Sequence, residues 1–417
     1  MEEDASLVDI FITAIFTPSI GQGHRVPPLQ DHETGRQEHD EDKFLEWKQE
    51  YGGVFTVWIP HPVVVIGDHK IFQESIVREG DNFGDRRLND LLNEQTFGGN
   101  YGLVFQDNSI WKEQRRFALH SLRDLGYGTS RMEGVIMTYA HAVMRKWTAE
   151  TGKAIDVKDD VMFNANFSVA LTSAMEKVPI IADIDRLVGG PFSRFKEAVR
   201  GMRAIVEGEI REVESNLEGA PACFVTSFLR EQKRLGSEIG SFSRIQLVAA
   251  AQTIWAAGFD TTVSTLRFGI HFIMSHPAVQ SRMRDEIDRV VGERDITMDD
   301  QKSLHFCSAT LQEIQRLVNV LPINFFRQTA SDTVVGGYHI PAGMTILPQF
   351  QIVHTDPVNF ERPDFFCPDR HLDDSGHFET MKSSSISKTS WSSYLRHSHR
   401  LAGRQHTAEQ YTLHGAC

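Results

Sequence analysis

Asp260 and Thr261 stand side by side in the run Ala257-Gly258-Phe259-Asp260-Thr261-Thr262, inside a long apolar stretch. A carboxylate next to a hydroxyl is a pair that can carry protons. In mid-helix both are locally unhelpful, because they compete for backbone hydrogen bonds. Ala257 and Gly258 remove side-chain bulk from the same face. The spacing describes a shallow gap where a flat cofactor can press on the backbone with an acid and an alcohol in reach. A plain packing notch, with Thr261 bonded back to a carbonyl, fits the same residues.

Two further sets could do chemistry or hold what does it. Glu313 and Arg316 are spaced i, i+3 and share a helix face, flanked by Leu311, Ile314 and Leu317. That apolar setting predicts a buried pair, which needs further partners to offset desolvation; Arg370 is the candidate second guanidinium. Trp111 and Arg115 are spaced i, i+4, and an indole N–H beside a guanidinium suits a carboxylate. A Trp stacked on an Arg at a helix surface is the alternative.

In chain order, WKEQRR (111–116), AGFDTT (257–262), EIQR (313–316) and PDFFCPDR (363–370) resemble the cytochrome P450 family of haem-thiolate monooxygenases. The resemblance continues through His354-Thr355-Asp356-Pro357 and Phe360, and covers roughly Asp42 to His377. It implies a mainly α fold with small β-sheets, incomplete at the C-terminus. It implies haem as cofactor, O2 and an apolar small molecule as substrates, and electrons from an NADPH-dependent flavoprotein reductase. On the matching positions, Ala257 and Gly258 border the cofactor and Asp260 and Thr261 relay protons. Trp111 and Arg115, with Arg327 as a weaker match, hold haem propionates. Glu313, Arg316 and Arg370 form a structural cluster.

The family's iron ligand lies in a loop of pattern Phe-x-x-Gly-x-Arg-x-Cys-x-Gly, whose thiolate pushes electron density onto iron. After Arg370 the sole cysteine is Cys417, and its flanks do not match. Cys223, Cys307 and Cys367 precede the required position, so no metal ligand is assigned. Two readings therefore stand open: a haem-dependent monooxygenase, or a truncated or mis-spliced scaffold without stable thiolate-ligated haem. An unrelated helical binding protein would need the motif order to be coincidence.

The composition bounds the function classes but says little about small-molecule substrates. Net charge is 43 − 56 = −13, which argues against a nucleic-acid binder. Hydrophobic content of 41% allows a sizeable core without disulfides. Four scattered cysteines without a CxxC pair fit a reducing compartment. The apolar run Leu7 to Phe16 is too short to span a bilayer. The family is associated with the endoplasmic reticulum membrane; without an anchor, this chain is expected to be cytoplasmic or peripheral, and monomeric.

The elements that must position these residues follow from periodicity and breakers. Residues 1–41 read as a loose leader, 42–378 as the domain, and 379–417 as a disordered tail rich in Ser, Thr, His, Arg and Lys. Val54–Trp58 and Val63–Ile66 read as a hairpin. Ser243 with Gln246 resembles a capping box opening a helix to Ser275, a rod of roughly 50 Å. It is apolar nearly all round from Leu247 to Ala257, as for a central helix. His276-Pro277 ends it and starts the next. A helix from 303 to 318 follows, then short strands at 332–335, 338–340 and 345–347.

Overall fold

The computed structural model describes residues 40–59, 61–86, 97–104, 106, 108–127, 129–149, 191–236, 241–321 and 324–379. In chain order the elements begin with α1 (Asp40–Tyr51), β1 (Val54–Ile59), β2 (His61–Ile66) and the short α2 (His69–Phe72). Then come α3 (Asn108–Asp124), α4 (Ser130–Ala149), α5 (Pro191–Ser215), α6 (Phe224–Leu235), α7 (Arg244–Ser275), α8 (Pro277–Val290) and α9 (His305–Val318). The series closes with β3 (Arg327–Gln328), β4 (Thr333–Val335), β5 (Tyr338–Ile340), β6 (Thr345–Pro348) and α10 (Phe350–Thr355). The fold is mainly helical with small sheets, as expected. The leader and tail expected at 1–41 and 379–417 lie almost wholly outside the described residues.

Two compact units are formed. The first takes the described residues before 89 together with 321–365. Its four-stranded sheet has the order β1-β2-β6-β3, with β1 antiparallel to β2 and β6 parallel to it. Strand periodicity of two sorts the apolar residues onto opposite faces. Phe55, Val57, Val63, Val65 and Leu347 pack with Phe44 and Ile352, whereas Val54, Val64, Ile66 and Ile346 pack with Phe72, Phe83 and Phe350. Both faces are covered, which explains why Val63–Ile66 reads as a continuous apolar run rather than an alternating one. A separate two-stranded ribbon pairs β4 with β5.

The second unit takes residues 89–320 and 366–379 among those described, and α7 is its spine. Ser243 accepts a hydrogen bond from the Gln246 amide at 3.3 Å and starts the helix. The capping box is only half made, because the Gln246 side chain bonds elsewhere. Leu247, Val248 and Ala250 are buried with Ile210 of α5 and with Phe224 and Phe228 of α6. Phe117 of α3 meets Phe224, Phe228 and Phe242 edge-on, with centroids 5.1–6.1 Å apart. Pro277 occupies the first turn of α8, where its lost N–H costs nothing. Glu286 of α8 accepts the Phe306 and Cys307 amides and so caps α9 from outside.

Three expectations need correction. The apolar run Leu247–Ala257 is not core throughout, since Trp255 is 49% exposed and Leu266, Ile270 and Met274 beyond it are exposed too. The helix expected from 303 begins at His305, after a 3-10 turn over Met298–Lys302 that Thr297 and Asp300 cap reciprocally. Strand β3 and helix α10 were not anticipated. Among the described residues no helix is long and apolar enough to cross a membrane.

Phe228 is fully buried at the centre of the aromatic cluster. Phe228→Ala is expected to cost about 3–5 kcal/mol in denaturant unfolding; a loss below about 1 kcal/mol would mean the cluster does not hold α3 and α6 on α7.

Candidate functional site

The Glu313 carboxylate is the most heavily bonded group in the second unit. Arg316 donates Nε to Oε2 and Nη2 to Oε1, both at 2.9 Å. Arg370 Nε and the Cys367 amide each reach Oε1 at 3.0 Å. His371 Nε2 stands 2.8 Å from Oε2 and must be the donor, since an ionised carboxylate only accepts. The side chains of Glu313, Arg316 and His371 are fully buried and that of Arg370 is 11% exposed. The grouping of Glu313, Arg316 and Arg370 read from spacing is thus met in space. His371 and the Cys367 N–H were missed. The only signal was a His next to Arg370, at a position the motif reading had not reached.

Burial pushes the Glu313 carboxyl up, and the hydrogen bonds from Arg316 and His371 reverse that and bring it down to about 2. The segment from Phe366 onward is pinned on further sides. Phe366 stacks on Phe272 of α7 at 4.9 Å, and Arg282 of α8 donates to Asp369 at 2.6 Å. Gly269 of α7 lies against Ile314 of α9, where a Cβ would sit 3.4 Å from the isoleucine. Together these contacts set α7 against α9.

On α7 itself, Thr261 donates to the Ala257 carbonyl at 2.8 Å, the backbone bond foreseen for a packing notch. Among the described residues, a Cβ built at Gly258 would meet nothing within 4 Å, so this turn presents bare backbone. Both observations hold together: Thr261 is held back on the helix, and the face beside it is open. Asp260 belongs to the same turn, but its side chain lies outside the described residues.

Trp111 and Arg115 share one face of α3, with the guanidinium 5.1 Å from the indole centroid. Arg115 is buried. Trp111 Nε1–H donates to the Leu103 carbonyl at 3.0 Å. The one N–H of the indole thus serves the backbone in this structure. Arg327 lies in the first unit on β3, and donates to the Phe83 carbonyl at 3.2 Å.

Two of the three described thiols are engaged structurally, and the third residue, Cys367, is held through its backbone amide. Cys223 caps α6, accepting from the Thr226 amide at 3.4 Å. Cys307 is buried against α8, and burial, then Glu286, pushes its thiol up to about 12. Cys367 sits in the segment clamped on Glu313. Among the described residues no group of three or more His, Cys, Asp or Glu side chains could hold a metal ion.

Comparison with known proteins adds a family. The cytochrome P450 family model matches residues 29–177 and 160–387. A Caenorhabditis elegans protein described as probable cytochrome P450 CYP36A1 is 32% identical over 372 residues, covering 80% of this chain and 75% of the relative. Cytochrome P450 2K6 of Danio rerio is 30% identical, with 80% and 72% covered. Cytochrome P450 2F2 of Mus musculus is 28% identical, with 79% and 74% covered.

The low-lying Glu313 carboxyl makes a signed pH prediction. Its folded value lies below the ordinary 4.5, so its stabilisation is complete above that pH and is lost as pH falls towards 2. Roughly 3 kcal/mol of unfolding free energy should disappear over that window. Urea unfolding at stepped pH checks this. A flat profile from pH 4.5 to 2.5 would remove the cluster's assigned role.

Proposed function

The chain belongs to the cytochrome P450 family of haem-dependent monooxygenases, and from that premise we propose that its scaffold is built to oxygenate an apolar small organic molecule. One oxygen atom of O2 would be inserted, with electrons from an NADPH-dependent flavoprotein reductase. The observation that carries this reading is the bare backbone at Gly258 beside Thr261. A Cβ added there meets no described atom within 4 Å, which supports a close approach to the α7 backbone at this turn. Haem, when bound, supplies the oxidising chemistry.

The chain's own residues would do the rest. Ala257 and Gly258 leave room for the flat face. Thr261 bonds back to Ala257 with its hydroxyl hydrogen and keeps its oxygen lone pairs free to accept a proton. Asp260, one position earlier, is the proposed carboxylate partner in that relay. Arg115, backed by the Trp111 ring, is the proposed anchor for an acidic edge of the cofactor. Glu313, Arg316 and Arg370 are proposed to act only on the scaffold.

A second reading rests on the thiols. The open face and the buried guanidinium fit a porphyrin, but the donor set does not fit its iron. Cys223 caps α6, Cys307 is buried against α8, Cys367 is tied to Glu313 by its backbone, and residues 371–417 contain no Phe-x-x-Gly-x-Arg-x-Cys-x-Gly run. In this form the chain would be a scaffold without thiolate-ligated haem, and no catalytic step is derived through the iron.

The reduced carbon-monoxide spectrum of the chain expressed with excess haem separates the two. The thiols described predict no band of the thiolate-ligated type. A band of that type, abolished by Cys417→Ser, would restore the catalytic reading for this chain.

A further inference from the structure

We propose that Gln246, on the first turn of α7, is a positioning residue that holds Trp111 and Arg115 in place to receive a carboxylate-bearing ligand. This rests on the reading of Arg115 as an anchor for the cofactor's acidic edge. The starting observation is a side chain that does not do what its position suggests. Three residues after the cap Ser243, a glutamine ordinarily reaches back to the cap amide. Gln246 instead turns into the protein, 1% exposed. It closes a two-way clamp on Gly102: the Gly102 amide donates to Gln246 Oε1, and Gln246 Nε2 donates to the Gly102 carbonyl, both at 3.1 Å.

The clamp sets residues 100–104 and 106. Gln246 Nε2 also reaches Gln106 Oε1 at 3.3 Å, and Gln106 Nε2 donates to the Asn100 carbonyl at 3.2 Å. Gly102 has φ +92°, and a Cβ there would stand 3.0 Å from Thr253 Oγ1 and 3.4 Å from the Ala249 carbonyl. The loop therefore lies directly on the backbone of α7, in a conformation that favours glycine. The next carbonyl, that of Leu103, accepts the Trp111 indole N–H, and the Trp111 ring faces the Arg115 guanidinium.

A continuous series of bonds thus runs from Gln246 through Gly102 and Leu103 to Trp111 and Arg115. Every atom in the Gln246–Gly102 clamp is buried, so its two bonds have no water to replace them. Removing them frees the Leu103 carbonyl to move, and the indole and guanidinium with it. A rotamer-rich Arg then has to be reordered each time a carboxylate binds.

Iron-free protoporphyrin IX and its dimethyl ester test this without the axial ligand. They share the flat apolar body and differ in the acidic edge. Their affinities for the full chain, measured by fluorescence quenching, give an acid-to-ester ratio. The ratio should favour the acid, and both Gln246→Leu and Arg115→Leu should lower it, roughly tenfold. Gln246→Glu, which keeps the acceptor for the Gly102 amide only, should fall between. Loss of folding alone would weaken acid and ester alike and leave the ratio unchanged, and that result overturns the proposal. A wild-type ratio near one would overturn the anchor reading of Arg115 itself, and this proposal with it.

Discussion

A fully buried carboxylate that accepts five hydrogen bonds governs this structure. Taking one negative charge out of water is costly, and it is tolerated only when charged and polar donors saturate the oxygens. At Glu313 two guanidiniums, an imidazole and an amide do so. Because the donors come from α9 itself and from the segment after Phe366, the requirement closes a loop of more than fifty residues. Any one partner removed leaves the others buried without their complement. The arrangement therefore specifies one chain path rather than merely adding stability.

The placement of α7 follows from that closure. The clamped segment stacks Phe366 on Phe272, and Ile314 packs over Gly269. The open turn at Gly258 and the Gln246 clamp lie farther along the same rod. What the cluster holds in place is α7 against α9 and against the segment after Phe366.

Much of this was legible from residue order. The hairpin of β1 and β2, the long helix after Ser243, its stop at His276-Pro277 and the pairing of Glu313 with Arg316 follow from local chemistry and spacing, whereas Arg370 joined them through the family resemblance. What was not legible depended on loops. Trp111 was read as a donor to a ligand because nothing in its helix reveals that the Leu103 carbonyl lies under it. Gln246 was read as a capping residue because its true partner, Gly102, is distant in sequence. His371 escaped because a His beside an Arg has no periodicity to announce it. Strand β3, two residues long, exists only through its neighbour β6, and such a strand has no pattern of its own.

The Glu313 cluster, and not the iron, organises the chain, and amide hydrogen exchange of the haem-free protein can show it. The amides of α9, and that of Cys367 bonded to Glu313, are expected to be among the slowest to exchange without any haem, at rates close to those of global unfolding. Exchange of these amides at unfolded-chain rates until haem is added would contradict it.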